Sequence, residues 1–336
     1  MASTKGYLDF ILEQLSGLDE ISFRAMMGEY IIYYRSKLVG GIYDDRFLVK
    51  PTKSSVSRLR QSQFSKSGSA EEKDYMNEVN KTLYIPLYGK SKVSQQGIIL
   101  NDPSAERIWE QEAFPIHGKS RSKWLAYNMA MRARVFDDWT DSMLQRSSDA
   151  LVLHFGCGLD SRHMRVKAPC SEWVDCDLPD VIEIRKKYFW ENETYHMVAL
   201  DASRSEMIGS LPDHDTAIVI LEGLCMYLTN GQVRGLLQAL DKKYRELHVL
   251  MDVYTEFGVK ASKYKNPVND VGVTKLYGID AIESIIDGLR IRFVKEHSFT
   301  PEALVKELMP IERLFFNLLF TGKLYRKIYR MYELEA

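Results

Sequence analysis

Two glycines and one acid are the residues of this 336-residue chain whose types and spacing indicate chemistry. Gly156 and Gly158 follow the short apolar run 151–155, which is typical of a parallel strand covered on both faces. Glycine lets the backbone turn sharply and approach a ligand without a Cβ in the way. Asp177 ends the next apolar segment, about 20 residues later, where such folds hold a ribose diol. The pattern predicts a nucleoside site at the carboxyl ends of two neighbouring strands.

The glycine turn lacks the third glycine of a dinucleotide-binding motif, because Ser161 occupies that position. The third glycine belongs to the fingerprint that places a pyrophosphate against the helix N-terminus. Its absence disfavours NAD and FAD, and with them an NAD-dependent oxidoreductase. The pattern favours an adenosyl ligand without phosphates, namely S-adenosylmethionine (SAM).

Three segments occur in a characteristic order: HFGCGLDSR at 154–162, WVDCDLPDV at 173–181 and LEGLCMYL at 221–228. Together they closely resemble the leucine carboxyl methyltransferase family, which includes bacterial O-methyltransferases linked to polyketide synthesis. The resemblance runs from about Glu78 to the C-terminus. It implies an α/β fold, the Rossmann-like class I methyltransferase sheet of seven mostly parallel strands with a helical N-terminal cover. It also implies SAM as cofactor and S-adenosylhomocysteine as product.

The resemblance adds further residues to the cofactor site. Segment 131–138 matches the family's arginine motif, and Arg134 is expected to pair with the methionine carboxylate of SAM, which suits a fork-shaped guanidinium. Asp201 and Ala202 stand at the corner that contacts adenine in the family. Glu222 ends a fourth apolar run, where a carboxylate is rarely buried without a partner. The predicted cofactor-binding residues are Arg134, Gly156, Gly158, Asp177, Asp201, Ala202 and Glu222.

The methyl acceptor would lie beside two tyrosines. The sulfonium of SAM makes its methyl group electrophilic already, so the protein must align a nucleophile and exclude water. A carboxylate acceptor is ionised at pH 7 and needs little acid–base help, whereas a phenol or alcohol needs a base. Tyr227 and Tyr254 are the predicted catalytic-side residues, although packing on the following helix explains Tyr227 equally well. Further acceptor-side candidates are His117, Lys123 and Tyr127; His154, inside a strand, is expected to be a core residue.

A separate module precedes this region. Apolar residues at helical spacing begin the chain, and short β-rich runs up to residue 50 predict a helix followed by an antiparallel meander. The segment resembles a truncated N-terminal domain of TfoX-type competence regulators. The predicted organisation is a small α+β module at 1–58, a serine-rich linker at 59–70 and the methyltransferase domain at 71–336.

Composition limits the partners. With a net charge of −1, no overall field favours nucleic acid or an anionic membrane. The four cysteines form no C-x-x-C pair, so no metal site is expected. No apolar stretch of about 20 residues occurs, and a cytoplasmic protein without a membrane partner is expected. The expected partner is a small-molecule methyl acceptor, and a homodimer is the candidate assembly.

The preferred function is therefore a SAM-dependent O-methyltransferase acting on a carboxylate or hydroxyl of a small molecule, or on a C-terminal carboxylate. The alternative is a regulatory or interaction protein that uses a SAM-binding scaffold fused to a TfoX-like, partner-binding segment.

Overall fold

The computed structural model describes residues 82–262 and 275–336, apart from 113, 115 and 117. Of the first 49 residues it describes 5, 8, 11, 12, 20–26, 29–35, 37–43 and 46–49. The chain divides into two compact units, residues 1–73 and 74–336. The predicted linker at 59–70 lies outside the described residues.

The first unit contains a four-stranded antiparallel meander in the order β1-β2-β3-β4. Its strands are β1 (Ile21–Met26), β2 (Glu29–Tyr34), β3 (Lys37–Tyr43) and β4 (Arg46–Val49). Leu8 and Ile11, which are helical, form one buried cluster with Ile32 and Ile42. The predicted meander is confirmed. The described residues of the predicted helix are helical, and the resemblance of this unit to TfoX-type domains stays a prediction.

The second unit is built on a seven-stranded sheet in the order β10-β11-β9-β8-β5-β6-β7. Its strands are β5 (Leu151–Phe155), β6 (Glu172–Asp177), β7 (Tyr195–Ala199), β8 (Thr216–Leu221), β9 (Glu246–Tyr254), β10 (Arg292–His297) and β11 (Tyr329–Glu335). Strands β5 to β9 run parallel, and β11 pairs antiparallel with both β9 and β10. This confirms the predicted Rossmann-like methyltransferase sheet.

Helices cover both faces and the carboxyl edge of this sheet. They are α1 (Tyr84–Ser94), α2 (Pro103–Glu112), α3 (Lys123–Leu144), α4 (Arg162–Arg165), α5 (Pro179–Arg185), α6 (Asn230–Lys243), α7 (Glu256–Ser262), α8 (Ile282–Ile286), α9 (Glu302–Val305), α10 (Pro310–Phe320) and α11 (Gly322–Arg326). Among them, α1 and α3 pack on each other and form the helical cover that precedes the first strand of the sheet.

The position of the site follows from strand order. Strand β5 is wholly buried and lies between β6 on one side and β8 on the other. The crossovers leave β5 in opposite directions at this point, so a crevice opens at the carboxyl ends of β5 and β8. In open α/β sheets this crevice is where ligands bind.

The sequence pattern also predicts a last strand from Leu324 to Leu334 and a helix over 278–288, and both differ from the structure. The last strand begins at Tyr329, because Gly322–Arg326 forms the short helix α11. The predicted helix is reduced to Ile282–Ile286. Gly278 approaches the end of β9 so closely that a Cβ would lie 2.6 Å from the carbonyl carbon of Thr255, so the segment crosses the strand end where a side chain has no room.

In the described part of the chain, no helix has both the length and the apolarity needed to cross a membrane. No cluster of three or more His, Cys, Asp or Glu side chains there could hold a metal ion. All four cysteines are free thiols.

Candidate functional site

A cavity of ≈ 450 Å³ occupies the crevice at the carboxyl ends of β5 and β8. It brings together eight of the nine residues predicted from sequence, and only Arg134 is not among them. The eight are Gly156, Gly158, Asp177, Asp201, Ala202, Glu222, Tyr227 and Tyr254. These residues come from the ends of β5 to β9 and the loops that follow, so the sheet alone sets their proximity.

The glycine turn after β5 forms one wall. Gly156 and Gly158 have φ angles of +66° and +51°, in the left-handed region that disfavours a side chain. Gly156 donates its backbone N–H to the Cys176 carbonyl at 2.8 Å, which ties the turn to β6. A Cβ at Gly156 would lie 3.3 Å from the Leu224 side chain. The turn therefore needs glycine for its conformation and for the close approach of the next loop.

Asp177 ends β6 beside this turn. Its Oδ2 accepts the Gly158 N–H and its Oδ1 the Leu178 N–H, both at 2.8 Å. Each oxygen keeps a further lone pair for an outside donor. Burial raises the pKa of Asp177 to about 6, against the opposing effect of those two hydrogen bonds. The carboxylate is thus fixed in place and costly to leave without a hydrogen-bonding ligand.

The corner after β7 forms the next part of the wall. Asp201 and Ala202 line the cavity together with Leu200 and Leu178. The Leu200 N–H bonds the Asp177 carbonyl at 2.8 Å, and Asp201 Oδ1 accepts the Ser203 N–H at 2.9 Å. A flat, mostly apolar niche with carboxylates at its rim suits a purine base and its ribose.

The other end of the cavity is charged. Arg132 and Lys90, from the cover helices, pair with Glu222 and Asp160 at 2.9 Å each. Burial opposes ionisation of Glu222, but Arg162 and Arg132 outweigh it and lower its pKa to about 2. The pKa of Asp160 is also held well below its usual range, because Arg165 and Lys90 outweigh its burial. Two anions and two cations therefore face one end of the cavity at neutral pH.

Arg132 is held in place from behind. Its Nη1 donates to Asp252 Oδ2 at 3.2 Å and to the Tyr329 hydroxyl at 2.9 Å, while its Nε bonds Glu222. Asp252 also accepts the Gly223 N–H at 2.6 Å. Nη2 has no acceptor among the described residues, and Arg132 lines the cavity. The guanidinium can therefore offer this nitrogen to an anionic ligand group.

The prediction for Arg134 is wrong in its placement. Its Nε pairs with Asp138 at 2.8 Å and its Nη1 donates to the Ile99 carbonyl, away from the cavity. Residues two apart on an α-helix project about 200° from each other, so Arg132 and Arg134 cannot share a face. The cavity face of α3 consists of Leu125, Met129 and Arg132. The spacing of four and three residues in the sequence is the signal that would have identified Arg132.

Two acceptor-side candidates on α3 are also misplaced. Lys123 pairs with Glu312 of α10 at 2.9 Å, and the Tyr127 hydroxyl donates to the same carboxylate at 2.9 Å. Neither residue lines the cavity. Their position on the outer side of α3 follows from the same helical periodicity. His117 lies outside the described residues.

Buried charges behind the cavity lock the cover to the sheet. Arg162 pairs with Glu222, bonds Asp137 of α3 at 2.6 Å and donates to His154 Nε2 at 3.2 Å. Because arginine can only donate, His154 carries its proton on Nδ1 and donates it to Asp175 at 3.0 Å. Burial lowers the pKa of His154. The predicted core role of His154 therefore agrees with its contacts.

The remaining part of the cavity is apolar and aromatic. Its walls come from α1, α3, the loop after β8, the end of β9 and the start of β11. Its larger members are Ile85, Pro86, Leu125, Met129, Met226, Tyr227, Tyr254 and Tyr329. Burial raises the pKa of Tyr227 to about 12, so its phenol is neutral at pH 7. Tyr254 stacks on Tyr329 at 4.7 Å between ring centroids. Both predicted tyrosines face the cavity, and the ring stack fixes the second.

These residues fit SAM and disfavour a dinucleotide. The acidic side chain of Asp177 suits a ribose diol, and the paired charges around Arg132 and Lys90 complement the ammonium and carboxylate of an amino acid. Asp160, anionic and only two residues after Gly158, lines the space that a pyrophosphate would need. It would repel a diphosphate there.

Comparison with known proteins agrees with this geometry. Residues 84–241 match the family model for leucine carboxyl methyltransferase. The chain is 29% identical over 243 residues to the tetracenomycin polyketide synthesis O-methyltransferase TcmP of Streptomyces glaucescens, covering 70% of this chain and 88% of that protein. It is 25% identical over 237 residues to the S-adenosyl-L-methionine-dependent methyltransferase dpfgK of Gibberella zeae, covering 63% and 80%.

Among solved structures, the chain is similar to magnesium protoporphyrin IX methyltransferase of Synechocystis PCC 6803 with bound SAH. The identity is 11% and the TM-score 0.43, over 76% of this chain and 99% of that one.

Proposed function

We propose that this protein, a SAM-dependent methyltransferase, belongs to the leucine carboxyl methyltransferase family and transfers the methyl group of SAM to an oxygen atom of a small organic acceptor. S-adenosylhomocysteine is the second product. One observation supports the proposal most directly: the SAM-complementary wall and the apolar, tyrosine-lined wall belong to a single cavity. A ligand on the second wall is held next to a cofactor on the first, so transfer requires no movement between sites.

The chain's residues have distinct tasks in this proposal. SAM supplies an activated methyl group when bound. Asp177 accepts the ribose hydroxyls, and the corner at Asp201 and Ala202 holds the adenine. Arg132 and Lys90 receive the carboxylate of the amino acid part, while Glu222 and Asp160 receive its ammonium group. Binding and orientation are thus the main contributions of the protein.

The acceptor wall favours an oxygen that is already ionised. Within the described residues, the titratable groups of this apolar wall are the phenols of Tyr227, Tyr254 and Tyr329. The raised pKa values of Tyr227 and Tyr329 leave both protonated, so they donate hydrogen bonds and do not remove protons. A carboxylate needs no base. We therefore rank a carboxylate of a largely apolar small molecule above a hydroxyl or a C-terminal carboxylate.

Two measurements test the proposal in sequence. Calorimetric titration should give binding of SAM but not of NADH. Transfer of a labelled methyl group should then be screened over small carboxylic acids and their hydroxyl analogues, with Asp177→Ala as the inactive variant and the exposed Asp149→Ala as matched control. Methyl esters formed by wild type and Asp149→Ala alone support the proposal. SAM binding without transfer to any acceptor would favour the regulatory alternative, in which residues 1–58 bind a partner.

A further inference from the structure

Helix α10 presents a wholly apolar outer face to solvent. Five large side chains on and just before it are more than half exposed: Met309 68%, Ile311 74%, Leu314 71%, Phe315 51% and Leu318 76%. Residues 311, 314, 315 and 318 follow helical spacing, so they form one stripe. Single apolar side chains with this exposure are common, but a continuous apolar stripe indicates a surface that another molecule covers.

The helix is anchored by its opposite face, so the stripe cannot turn inward. Phe316 is fully buried and stacks on Phe320, with ring centroids 5.1 Å apart. Glu312 is held by Lys123 and Tyr127 of α3, each at 2.9 Å. A solvated surface helix exposes its polar side, whereas α10 exposes an apolar stripe while Phe316 and the paired Glu312 hold its inner face.

The size of the stripe suits a protein interface. Side chains of this size each bury on the order of 150 Å² when covered, so the exposed parts of five offer roughly 500 Å². This lies near the upper end for a monomer, whose largest apolar patch is roughly 300–600 Å². A specific interface needs about 800 Å² from each partner, so the stripe supplies about 60% of that area and the surface around it supplies the rest.

We propose that the outer face of α10 packs antiparallel against the same face of a second copy of this chain. The stripe carries no charged residue, so it can meet its own copy across a two-fold axis without repulsion. Its two ends differ in charge: residues 301–307 carry two acids and one lysine, whereas residues 321–330 carry four basic residues and no acid. Antiparallel packing brings the acidic end of one copy to the basic end of the other.

A lipid surface fits the same stripe less well. Interfacial helices carry Lys and Arg on a solvent-facing polar side. The polar side of α10 faces its own protein instead, and Arg313, its one cation, donates to the backbone carbonyls of Lys306 and Leu308. The proposed dimer interface is linked to the cavity through α3. Helix α10 contacts α3, and Leu125 and Met129 of α3 line the cavity.

Sedimentation equilibrium of the full chain tests the pairing. Wild type should sediment at twice the 38.9 kDa chain mass at micromolar concentration. Leu314→Asp and Leu318→Asp each place a charge beside its own copy and should weaken the dimer at least about 100-fold. Trp190→Asp, which alters an exposed apolar residue outside the stripe, should leave the dimer intact. Unchanged SAM binding in every variant shows that the fold persists.

Cross-linking tests the antiparallel arrangement. Phe315 lies at the middle of α10, next to the proposed axis, so Phe315→Cys should form a dimer disulfide under mild oxidation. Met164→Cys, also exposed but on α4, should not. A monomeric wild type, a Leu314→Asp dimer as stable as wild type, equal cross-linking at both sites, or monomers that sediment with phosphatidylglycerol vesicles would each overturn the proposal.

Discussion

Asp177 is the residue to which the proposed function assigns the ribose of the cofactor. Two backbone N–H groups of the glycine turn and of the following helix fix both of its oxygens. Burial nevertheless raises its pKa to about 6, so the free site holds an anion that lacks full solvation. In the proposed complex, two ribose hydroxyls supply the missing donors and bond the charged form.

SAM binding should therefore weaken as pH falls through about 6. Above that pH Asp177 is ionised in the free protein and binds without releasing a proton. Below it, the proton must leave first, and affinity falls up to about tenfold per pH unit. Calorimetry from pH 8 to pH 5 measures this. Asp177→Asn should bind at least about tenfold more weakly at pH 8 and lose the dependence, whereas Asp149→Asn should keep it. A flat wild-type profile would contradict the assignment.

The stability of the ligand-free protein should depend on pH in the opposite direction to SAM affinity, as far as Asp177 is concerned. Because the folded pKa of Asp177 lies above that of an ordinary Asp, the folded state binds a proton that the unfolded state lacks between about pH 4 and pH 6. The contribution stabilises the fold at low pH and is lost as pH rises through about 6. Urea unfolding of wild type and Asp177→Asn at pH 4.5 and 7.5 tests this. The difference between their free energies of unfolding should be smaller at pH 4.5 than at pH 7.5.

Arg132 and Arg134 give a paired test of the carboxylate end. Arg132→Lys keeps the positive charge but loses the fork that joins Glu222, Asp252 and the cavity. We expect at least about tenfold weaker SAM binding for Arg132→Lys and wild-type binding for Arg134→Lys. A thermal melt of each variant shows whether the fold is kept. Equal affinities in the two variants would remove Arg132 from the site.

At the scale of elements, the site depends on how closely chain segments cross behind it. Strand β9 ends at Tyr254, and the segment at Gly278 passes directly over the residues that follow it. The Ile279 N–H bonds the Tyr254 carbonyl at 2.8 Å, so this crossing also holds a tyrosine of the acceptor wall. Gly278 is needed at the crossing because a side chain has no space there. Its backbone conformation does not require glycine, since its φ lies outside the left-handed region.

Gly278→Ala should destabilise the second unit by about 2 kcal/mol or more, because the added Cβ meets backbone atoms that cannot move aside cheaply. Gly209→Ala is the matched control, since no atom lies within 4 Å of a Cβ built there. Denaturant unfolding measures both. A Gly278→Ala variant as stable as the control would show that the crossing is looser than it appears.

At the scale of the whole molecule, the chain consists of two units with separate cores. The cluster around Ile32 and Ile42 belongs to residues 1–73, and the clusters around the seven-stranded sheet belong to residues 74–336. Among the residues that the structure describes, all those that line the cavity belong to the second unit. The two units can therefore be tested separately for cofactor binding.

A chain that begins at Asp74 should fold and bind SAM as tightly as the full chain, because it retains the whole cavity wall and both main clusters of core residues. Circular dichroism and calorimetry of the truncated chain measure this. An insoluble fragment, or one with clearly weaker SAM binding, would make the first unit part of the working site. Loss of methyl transfer with intact SAM binding would instead place the first unit at the acceptor side.

The sequence by itself determined the sheet and the cofactor wall. Local pattern identifies Gly156, Gly158, Asp177 and Glu222, because each stands at or just after the end of an apolar run. Parallel strands end at the same edge of a sheet, so these residues are expected to lie close together. Only the tertiary structure decided which side of α3 faces the cavity. That choice rests on packing against α1 and on ion pairs with residues 25 to 120 positions away, such as Asp137 with Arg162 and Arg132 with Glu222 and Asp252. A motif match identifies such a helix but does not fix its rotation, and a shift of two residues turns a cavity arginine into an exposed one.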